Sequence, residues 1–265
     1  MRKPDDFKDD LLPTTMQALS FLSRLPVSNR WFGPGDHRVA DTARAFPLAG
    51  LVIALPACLI LLIATALKLP ALIAGLLSVA ALIIVTGALH EDGLSDVADG
   101  FYGGSTHERR LDIMKDSRIG TFGALSLIFS VVLRAALLAA IIERTSPFYG
   151  VLTIFGTEAA SRAAMVWFWQ TAPNVRPGGT ADQAGTPDEA ACHWALGFGL
   201  ASLFVTYLLT GGIFGFLMPI ILCAFAIAGF SVLCRDKIGG QTGDTLGAAQ
   251  QIAALSLLAG LVITL

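Results

Sequence analysis

We expect this chain to form an all-α bundle of helices in a membrane, from its composition, its apolar runs and its charge distribution. Hydrophobic residues make up 54% of the 265 residues and charged residues only 14%, whereas a soluble domain carries about 25% charged residues. The apolar residues gather in seven runs, each near the ~20 residues that a helix needs to cross a bilayer. One membrane domain over residues 1–265 accommodates the whole chain.

The overall charge and the cysteines argue against several classes of function. The formal net charge is −2, so nothing indicates a nucleic-acid partner. The four cysteines show no CxxC spacing, which argues against disulfides and a zinc site. The first ten residues precede no apolar run long enough for a signal peptide, so the first membrane helix is expected to direct insertion.

Residues 1–45 are expected to form a cytoplasmic or interfacial segment before the first span. Within it, apolar residues recur at intervals of three or four, at Leu12, Met16, Leu19, Leu22 and Leu25. This spacing predicts a helix that lies in the membrane interface or packs on the other helices, and both interpretations remain open.

The apolar runs predict about seven transmembrane helices. They are 48–67, 71–89, 122–142, 147–169, 194–209, 213–233 and 246–265. Tight turns follow every second run, at 69–70, 145–146 and 211–212, so these turns are predicted to share one side of the membrane.

Basic residues orient this topology. Of the 18 lysines and arginines, 14 lie on the side of the N-terminus and the long connections, and only Lys68 and Arg144 lie opposite. The excess predicts a cytoplasmic N-terminus.

The stretch 90–100 is the strongest candidate for a chemical site. If the preceding helix continues through it, Asp92, Asp96 and Asp99 fall at i, i+4 and i+7 on one helix face. Their mutual repulsion favours a hard divalent cation such as Mg²⁺, which prefers oxygen ligands. The alternative is a solvated acidic helix end. His90 could ligate a metal, donate to phosphate or do neither.

The connection before the last run is the second candidate. Its glycines would let backbone N–H groups approach a phosphate oxygen, with the residues Gly239, Gly240, Gln241, Thr242 and Gly243. It matches neither GxxxxGK[ST] nor GxGxxG. Asp244 could ligate the metal or accept a proton from an attacking hydroxyl. Alternatively, Thr242 or Asp244 caps the following helix.

Other charged residues complete the candidates. Lys115 and Arg118 are predicted to neutralise phosphate oxygens, or else to flank the membrane as snorkelling cations. Within the runs, Glu158 and Arg162 are expected to pair at i, i+4, and Arg134 then needs an interior partner or a substrate phosphate. The connection 171–189 reads as a flexible linker or as a lid.

Three blocks of this sequence resemble the signature of the cobalamin synthase family, also called adenosylcobinamide-GDP ribazoletransferase. The blocks are 90–100, 114–123 and 239–248, and the stretches 21–26 and 45–48 resemble the start of that family. The resemblance runs from about residue 16 to the end. One departure is Glu91, where an apolar residue is expected.

The resemblance implies a membrane transferase of the last steps of cobalamin biosynthesis. Such an enzyme joins adenosylcobinamide-GDP to α-ribazole or its 5′-phosphate and releases GMP, with Mg²⁺ as the cofactor. Asp92, Asp96 and Asp99 would then hold the metal, with Asp244 as a candidate base. The base, the number of metal ions, the place of the corrin ring, the preferred lower base and the oligomeric state stay open.

Two other functions compete with this interpretation. A CDP-alcohol-type phosphotransferase also clusters aspartates at helix ends, although its fuller motif is not matched here. A cation-coupled transporter would place ionisable groups near the bilayer midplane, whereas these aspartates are predicted at the cytoplasmic margin.

Overall fold

The computed structural model describes residues 10–32 and 38–265, and the described residues contain ten α-helices and no β-strand. The helices are α1 (Leu11–Leu22), α2 (Phe46–Ala66), α3 (Ala71–Thr86), α4 (Leu89–Gly103), α5 (His107–Ile113), α6 (Thr121–Arg144), α7 (Pro147–Thr171), α8 (Thr180–Ala184), α9 (Glu189–Ile238) and α10 (Gly243–Thr264). The predicted all-α class is confirmed. Residues 1–9 and 33–37 of the predicted N-terminal segment lie outside the described residues.

Several of these helices are long and apolar enough to cross a membrane. By length and composition, the described residues contain four such helices, Val39–Ala66, Thr121–Arg144, Glu189–Ile238 and Gly243–Thr264, and a fifth if the bent pair of α3 and α4 is one span. A multi-pass membrane protein is therefore supported. The predicted number of seven is not reached by this measure.

Helix α9 is two antiparallel arms rather than one straight rod. Gly212 has φ 62° and ψ −154° inside it, a conformation that favours glycine. The Phe204 and Phe216 rings, one from each arm, are 5.4 Å apart, whereas twelve residues of straight helix span ~18 Å. The two apolar runs predicted on either side of 211–212 are therefore separate helices joined by a tight turn.

Two of the three predicted tight turns lie at one end of the bundle. Arg144, before the turn at 145–146, donates from Nη1 to the Val262 carbonyl at 2.8 Å. A Cβ built at Gly211 would lie 3.3 Å from Thr264 Oγ1. Both turns therefore lie beside the C-terminal end of α10, and the start of α10 lies at the opposite end.

The membrane helix α3 does not continue into the acidic stretch, so the continuous helix considered above is wrong. It ends at Thr86, and Gly87 and Ala88 both adopt left-handed conformations, with φ values of 64° and 59°. Helix α4 then leaves at 93° to α3. Because α4 is helical in its own right, it keeps the i, i+4, i+7 spacing, but it turns away from the axis of α3.

Three charged residues inside the bundle pair with one another. Glu158 Oε2 lies 2.7 Å from Arg162 Nη1, as predicted, and Glu158 Oε1 pairs with Arg134, which is the interior partner that Arg134 required. Glu91, the unexpected acid, is also buried, and its Oε1 accepts from Gln251 Nε2 at 2.9 Å. This hydrogen bond ties α4 to α10.

Candidate active site

The acidic helix α4 and the start of α10 meet at one end of the bundle. Gly93 packs directly on the backbone of Asp244, since a Cβ at position 93 would lie 2.5 Å from the Asp244 carbonyl oxygen. A side chain there would force the helices apart. The acidic stretch and the glycine-rich connection therefore lie side by side.

The carboxylates at this end share one electrostatic environment. Burial, together with the neighbouring charges of Asp92, Asp244 and Asp99, raises the pKa of Asp96 to about 7, although Arg176 acts in the opposite direction. Like charges raise a carboxyl pKa only at close range. The cluster consequently favours a cation or a proton, and its all-oxygen donors suit a hard cation.

Asp99 is held by the backbone rather than free to form a metal ligand set. Its Oδ2 accepts from the Gly120 N–H at 2.7 Å and its Oδ1 from the Gly123 N–H at 2.8 Å, at the start of α6. Between residues 10 and 265, apart from 33–37, no three His, Cys, Asp or Glu side chains are grouped to hold a metal ion. The predicted three-aspartate metal site is thus not preformed, because tertiary contacts occupy Asp99.

The glycine-rich connection is partly committed to internal hydrogen bonds. Gln241 donates to the Pro173 carbonyl at 2.8 Å and accepts from the Val175 N–H at 3.0 Å. Thr242 caps α10 in a reciprocal capping box with Thr245, so the capping interpretation of Thr242 is confirmed. The backbone N–H groups of Gln241 and Thr242 are therefore engaged within the protein. That Gly239, Gly240 and Gly243 bind phosphate through their backbone N–H groups stays a prediction. The N–H of Gly239 already donates to the Arg235 carbonyl at 3.0 Å.

The loop of residues 172–188 lies over the site, which favours the lid interpretation over a plain linker. Its Arg176 donates from Nη1 to Asp244 Oδ2 at 3.0 Å and from Nη2 to the Leu111 carbonyl at 3.2 Å. Sequence reasoning missed Arg176 as a site residue. The available signal was one arginine in a proline- and glycine-rich connection on the same predicted side as the aspartates.

Lys115 and Arg118 lie at the surface beside this site. Arg118 pairs with Asp116 at 2.6 Å, with 87% of its side chain exposed, and this guanidinium holds the pKa of Asp116 down to about 2. Lys115 is also exposed. In the part of the chain that is described, neither contacts the carboxylate cluster, so their role as phosphate ligands stays a prediction.

A cavity of about 220 Å³ opens next to the carboxylates. Asp92 and Asp244 form its polar wall, His90 lies beside them, and the loop contributes Ala181 and Ala184. The site therefore combines an anionic cluster, a cation from a covering loop and a small cavity.

Comparisons with known proteins identify the family of this chain. The family profile described as Cobalamin-5-phosphate synthase matches residues 14–262. The chain belongs to the cobalamin-5-phosphate synthase family. It is 51% identical, over 97% of its length and 99% of theirs, to proteins named adenosylcobinamide-GDP ribazoletransferase from Brucella ovis, Brucella canis and Brucella melitensis. No solved structure matches the chain.

Membership of the cobalamin-5-phosphate synthase family confirms the resemblance, and the structure shows how its signature blocks meet. The block 90–100 forms α4, and the block 239–248 caps α9 and starts α10 beside it. The block 114–123 reaches α4 through Asp99 and the N–H groups that begin α6. In this family member, Arg176 adds a cation from outside the three blocks.

Proposed function

We propose that this protein joins adenosylcobinamide-GDP to α-ribazole, or to α-ribazole 5′-phosphate, to give adenosylcobalamin or its 5′-phosphate, with release of GMP. Family membership and the names of the Brucella relatives support this assignment. The main structural support for this reaction is the packing of Gly93 on Asp244, which brings Asp92 and Asp244 to one cavity.

The transfer is a displacement at phosphorus. A ribose hydroxyl of α-ribazole attacks the phosphorus that carries the cobinamide side, and the bond to the GMP oxygen breaks. Because the 5′-phosphate is also an acceptor, the hydroxyl is one on the ribose ring. Asp244 takes the hydroxyl proton. Arg176 and Thr242 both bond its Oδ2, which leaves Oδ1 for the substrate.

The expected cofactor is Mg²⁺, held by Asp92 and Asp96 in place of the three aspartates first considered. Mg²⁺ is commonly bound by one or two carboxylates together with substrate phosphates and water, so a preformed three-carboxylate site is not required. When bound, it supplies charge that offsets the pyrophosphate. Arg176 adds to this charge from the covering loop.

The proposal places the site on the cytoplasmic face of the inner membrane, with seven crossings. The helices α2, α3, α6, α7 and α10 and the two arms of α9 make up the seven. The tight reversal at Gly212 and the excess of basic residues on one side support this topology. A cysteine-accessibility map of the 145–146 and 211–212 turns in intact cells tests it, and labelling from the cytoplasm only would overturn it.

An assay of the purified full chain tests the function. Adenosylcobinamide-GDP, α-ribazole and Mg²⁺ should give GMP and adenosylcobalamin, and a chelator should stop the reaction. Release of CMP from a CDP-alcohol, with no GMP from the corrinoid, would instead identify a lipid phosphotransferase. Cation flux in proteoliposomes without chemical turnover would identify a transporter.

Variants of the cluster connect the activity to this site. Asp92→Asn and Asp96→Asn should fold and lose at least about 100-fold in turnover, because charge stabilisation at phosphorus is a large part of such catalysis. Asp236→Asn is the matched control, since that side chain is 72% exposed. Activity near that of the wild type in both cluster variants would contradict the assignment.

A further inference from the structure

A groove of about 410 Å³ lies between α7 and the two arms of α9, apart from the carboxylate site. Its lining consists of alanine, glycine, leucine and isoleucine residues with one cysteine and one tryptophan. The walls carry Leu200 on the first arm and Ala228 on the second arm, and both residues are exposed. The groove therefore opens to the outside of the bundle.

Small side chains leave the space between the arms unfilled. Gly199 of the first arm packs closely on α7, since a Cβ at that position would lie 2.6 Å from an α7 side chain. The rings of Phe204 and Phe216 join the two arms at 5.4 Å. Beyond this contact, toward the carboxylate end of the bundle, the second arm presents Ala224 and Ala228 to the groove, and both are exposed. These side chains do not close the gap between the arms.

Both walls of the groove belong to α9, which is long and apolar enough to cross a membrane. Water does not fill such a groove, because a bound water needs roughly two to four polar partners. An empty groove would lose the dispersion contacts of its lining atoms. A hydrocarbon chain from the surrounding bilayer supplies those contacts, so an acyl chain is the chemical group that fits.

A cation lies at the end of the groove nearest to the carboxylate site. Along α7, Thr171 follows the groove residue Trp167 at i+4, and the two share one helix face. Along the second arm, Arg235 follows the groove residue Ala228 at i+7, again on one face. Arg235 donates from Nη2 to the Thr171 carbonyl at 3.4 Å, so the two faces converge there. Arg235 is exposed, and no carboxylate in the described part of the chain pairs with it.

We propose that this groove binds an anionic phospholipid, with one acyl chain between the arms of α9 and the phosphate on Arg235. A guanidinium binds phosphate oxygens in a bidentate manner, and an arginine at the membrane surface attracts anionic headgroups. Thr171 lies four residues beyond Trp167, about 6 Å along the helix, and the glycerol backbone of the lipid bridges this gap. The inference depends on insertion of α9 in a membrane and not on the reaction at the carboxylate site.

The lipid phosphate contacts the protein where two segments of the candidate active site begin. Thr171 ends α7 and precedes the covering loop of residues 172–188. The Arg235 carbonyl accepts the N–H of Gly239 at 3.0 Å, at the start of the glycine-rich connection. A phospholipid bound to Arg235 therefore stabilises the base of both segments. It should raise the unfolding temperature of the full chain, because it binds only the folded state.

Lipid binding to the purified full chain tests the headgroup contact. In native mass spectrometry, the first phosphatidylglycerol should bind about fivefold more tightly than phosphatidylcholine with the same acyl chains, as expected for one arginine near an anionic headgroup. Arg235→Gln should remove this preference, because it removes the charge and keeps a polar side chain. Arg109→Gln should keep it. Arg109 is the matched control, since it is an exposed cation of α5 at the same end of the bundle and does not line the groove.

A substitution that fills the groove tests the acyl-chain contact. Ala228→Trp should weaken the binding of both phospholipids at least about tenfold, because the indole occupies the place of the chain and its apolar contacts are lost. Ala201→Trp is the matched control, since Ala201 is an exposed alanine of the first arm that does not line the groove, and it should change binding less than about twofold. Arg235 is exposed, so Arg235→Gln tests the proposal even if Ala228→Trp does not fold.

Equal affinity of the wild type for the two phospholipids would overturn the proposal, and so would unchanged lipid binding in folded Ala228→Trp. A wild-type dimer that Ala228→Trp dissociates, without any change in lipid binding, would assign the groove to a second copy of this chain instead. None of these measurements uses GMP release, so the proposed function is judged separately by its own assay.

Discussion

Arg176 and Asp244 form an ion pair at 3.0 Å although 68 residues separate them in the chain. The pair connects the covering loop to the first turn of α10, and Arg176 also donates to the carbonyl of Leu111 in the short helix α5. One guanidinium therefore fixes the loop on two neighbouring elements. It also brings positive charge to a site that otherwise carries several carboxylates.

Replacement of Arg176 by glutamine should loosen the loop and slow the reaction. The variant loses both the ion pair and the charge near the phosphates, so we expect turnover to fall about 10- to 100-fold. Hydrogen–deuterium exchange should become faster over residues 172–188. Both are measured on the purified protein, by GMP release and by mass spectrometry.

Arg144→Gln is the matched control for Arg176→Gln. Arg144 also donates to a main-chain carbonyl, that of Val262, but at the opposite end of the bundle. Its replacement should leave turnover and loop exchange within about twofold of the wild type, since it loses only a peripheral hydrogen bond. Equal effects of the two variants would show that the Arg176 contact has no specific role.

Asp99→Asn should lower stability more than it alters the metal dependence. Asp99 accepts two backbone N–H groups at the start of α6, and an asparagine side chain offers only one oxygen. We expect the free energy of unfolding to fall by about 1–2 kcal/mol. Thermal unfolding in detergent measures it, with exposed Asp112→Asn as the control. A variant with wild-type stability and a much weaker response to Mg²⁺ would restore Asp99 as a metal ligand.

The sequence could predict contacts between residues that are close along the chain, but not contacts between distant ones. The pairing of Glu158 with Arg162 is a contact within one helical turn, so spacing alone was sufficient to predict it. The spacing of the aspartates was equally local and is present on α4. What spacing could not supply was the partner of Asp99, because Gly120 and Gly123 lie more than twenty residues away.

The bend after α3 and the role of Arg176 illustrate the same limit. The apolar run 71–89 contains Gly87, which commonly ends a helix, but nothing local requires Ala88 to adopt a left-handed conformation as well. Arg176 lies in a loop whose proline and glycine content indicates only the absence of regular structure. Its partner Asp244 on α10 is brought close by tertiary packing. The position of the loop over the site could therefore be seen only in the structure.

Glu158→Gln should strongly destabilise the bundle. Glu158 is the shared partner of Arg134 and Arg162, and all three side chains are almost completely buried. Removal of its charge leaves two buried cations without compensation, which costs about 3–5 kcal/mol when a buried pair is broken. The midpoint of unfolding in a denaturant series measures this loss.

Glu143→Gln gives the reference for this effect. Glu143 lies on α6, one residue before its end, and it is exposed. Its replacement should change the unfolding free energy by no more than about 0.5 kcal/mol. If Glu158→Gln were no more destabilising than this control, the interior charges would have access to water or to another partner.

The shifted pKa of Asp96 predicts how metal-free protein responds to pH. Its pKa of about 7 in the folded protein, against an ordinary 3.8, means that between these values the folded state binds more protons than the unfolded state, so stability falls as pH rises. The metal-free protein should unfold at a lower temperature at pH 8 than at pH 5, and Mg²⁺ should raise that temperature more at pH 8, because it competes with the proton.

Asp96→Asn should abolish both trends. Asp116→Asn should preserve them, since the pKa of Asp116 lies near 2 and it stays ionised throughout this window. A metal-free protein whose unfolding temperature is the same at pH 5 and pH 8 would contradict the burial of Asp96 among the other carboxylates, on which the metal proposal depends.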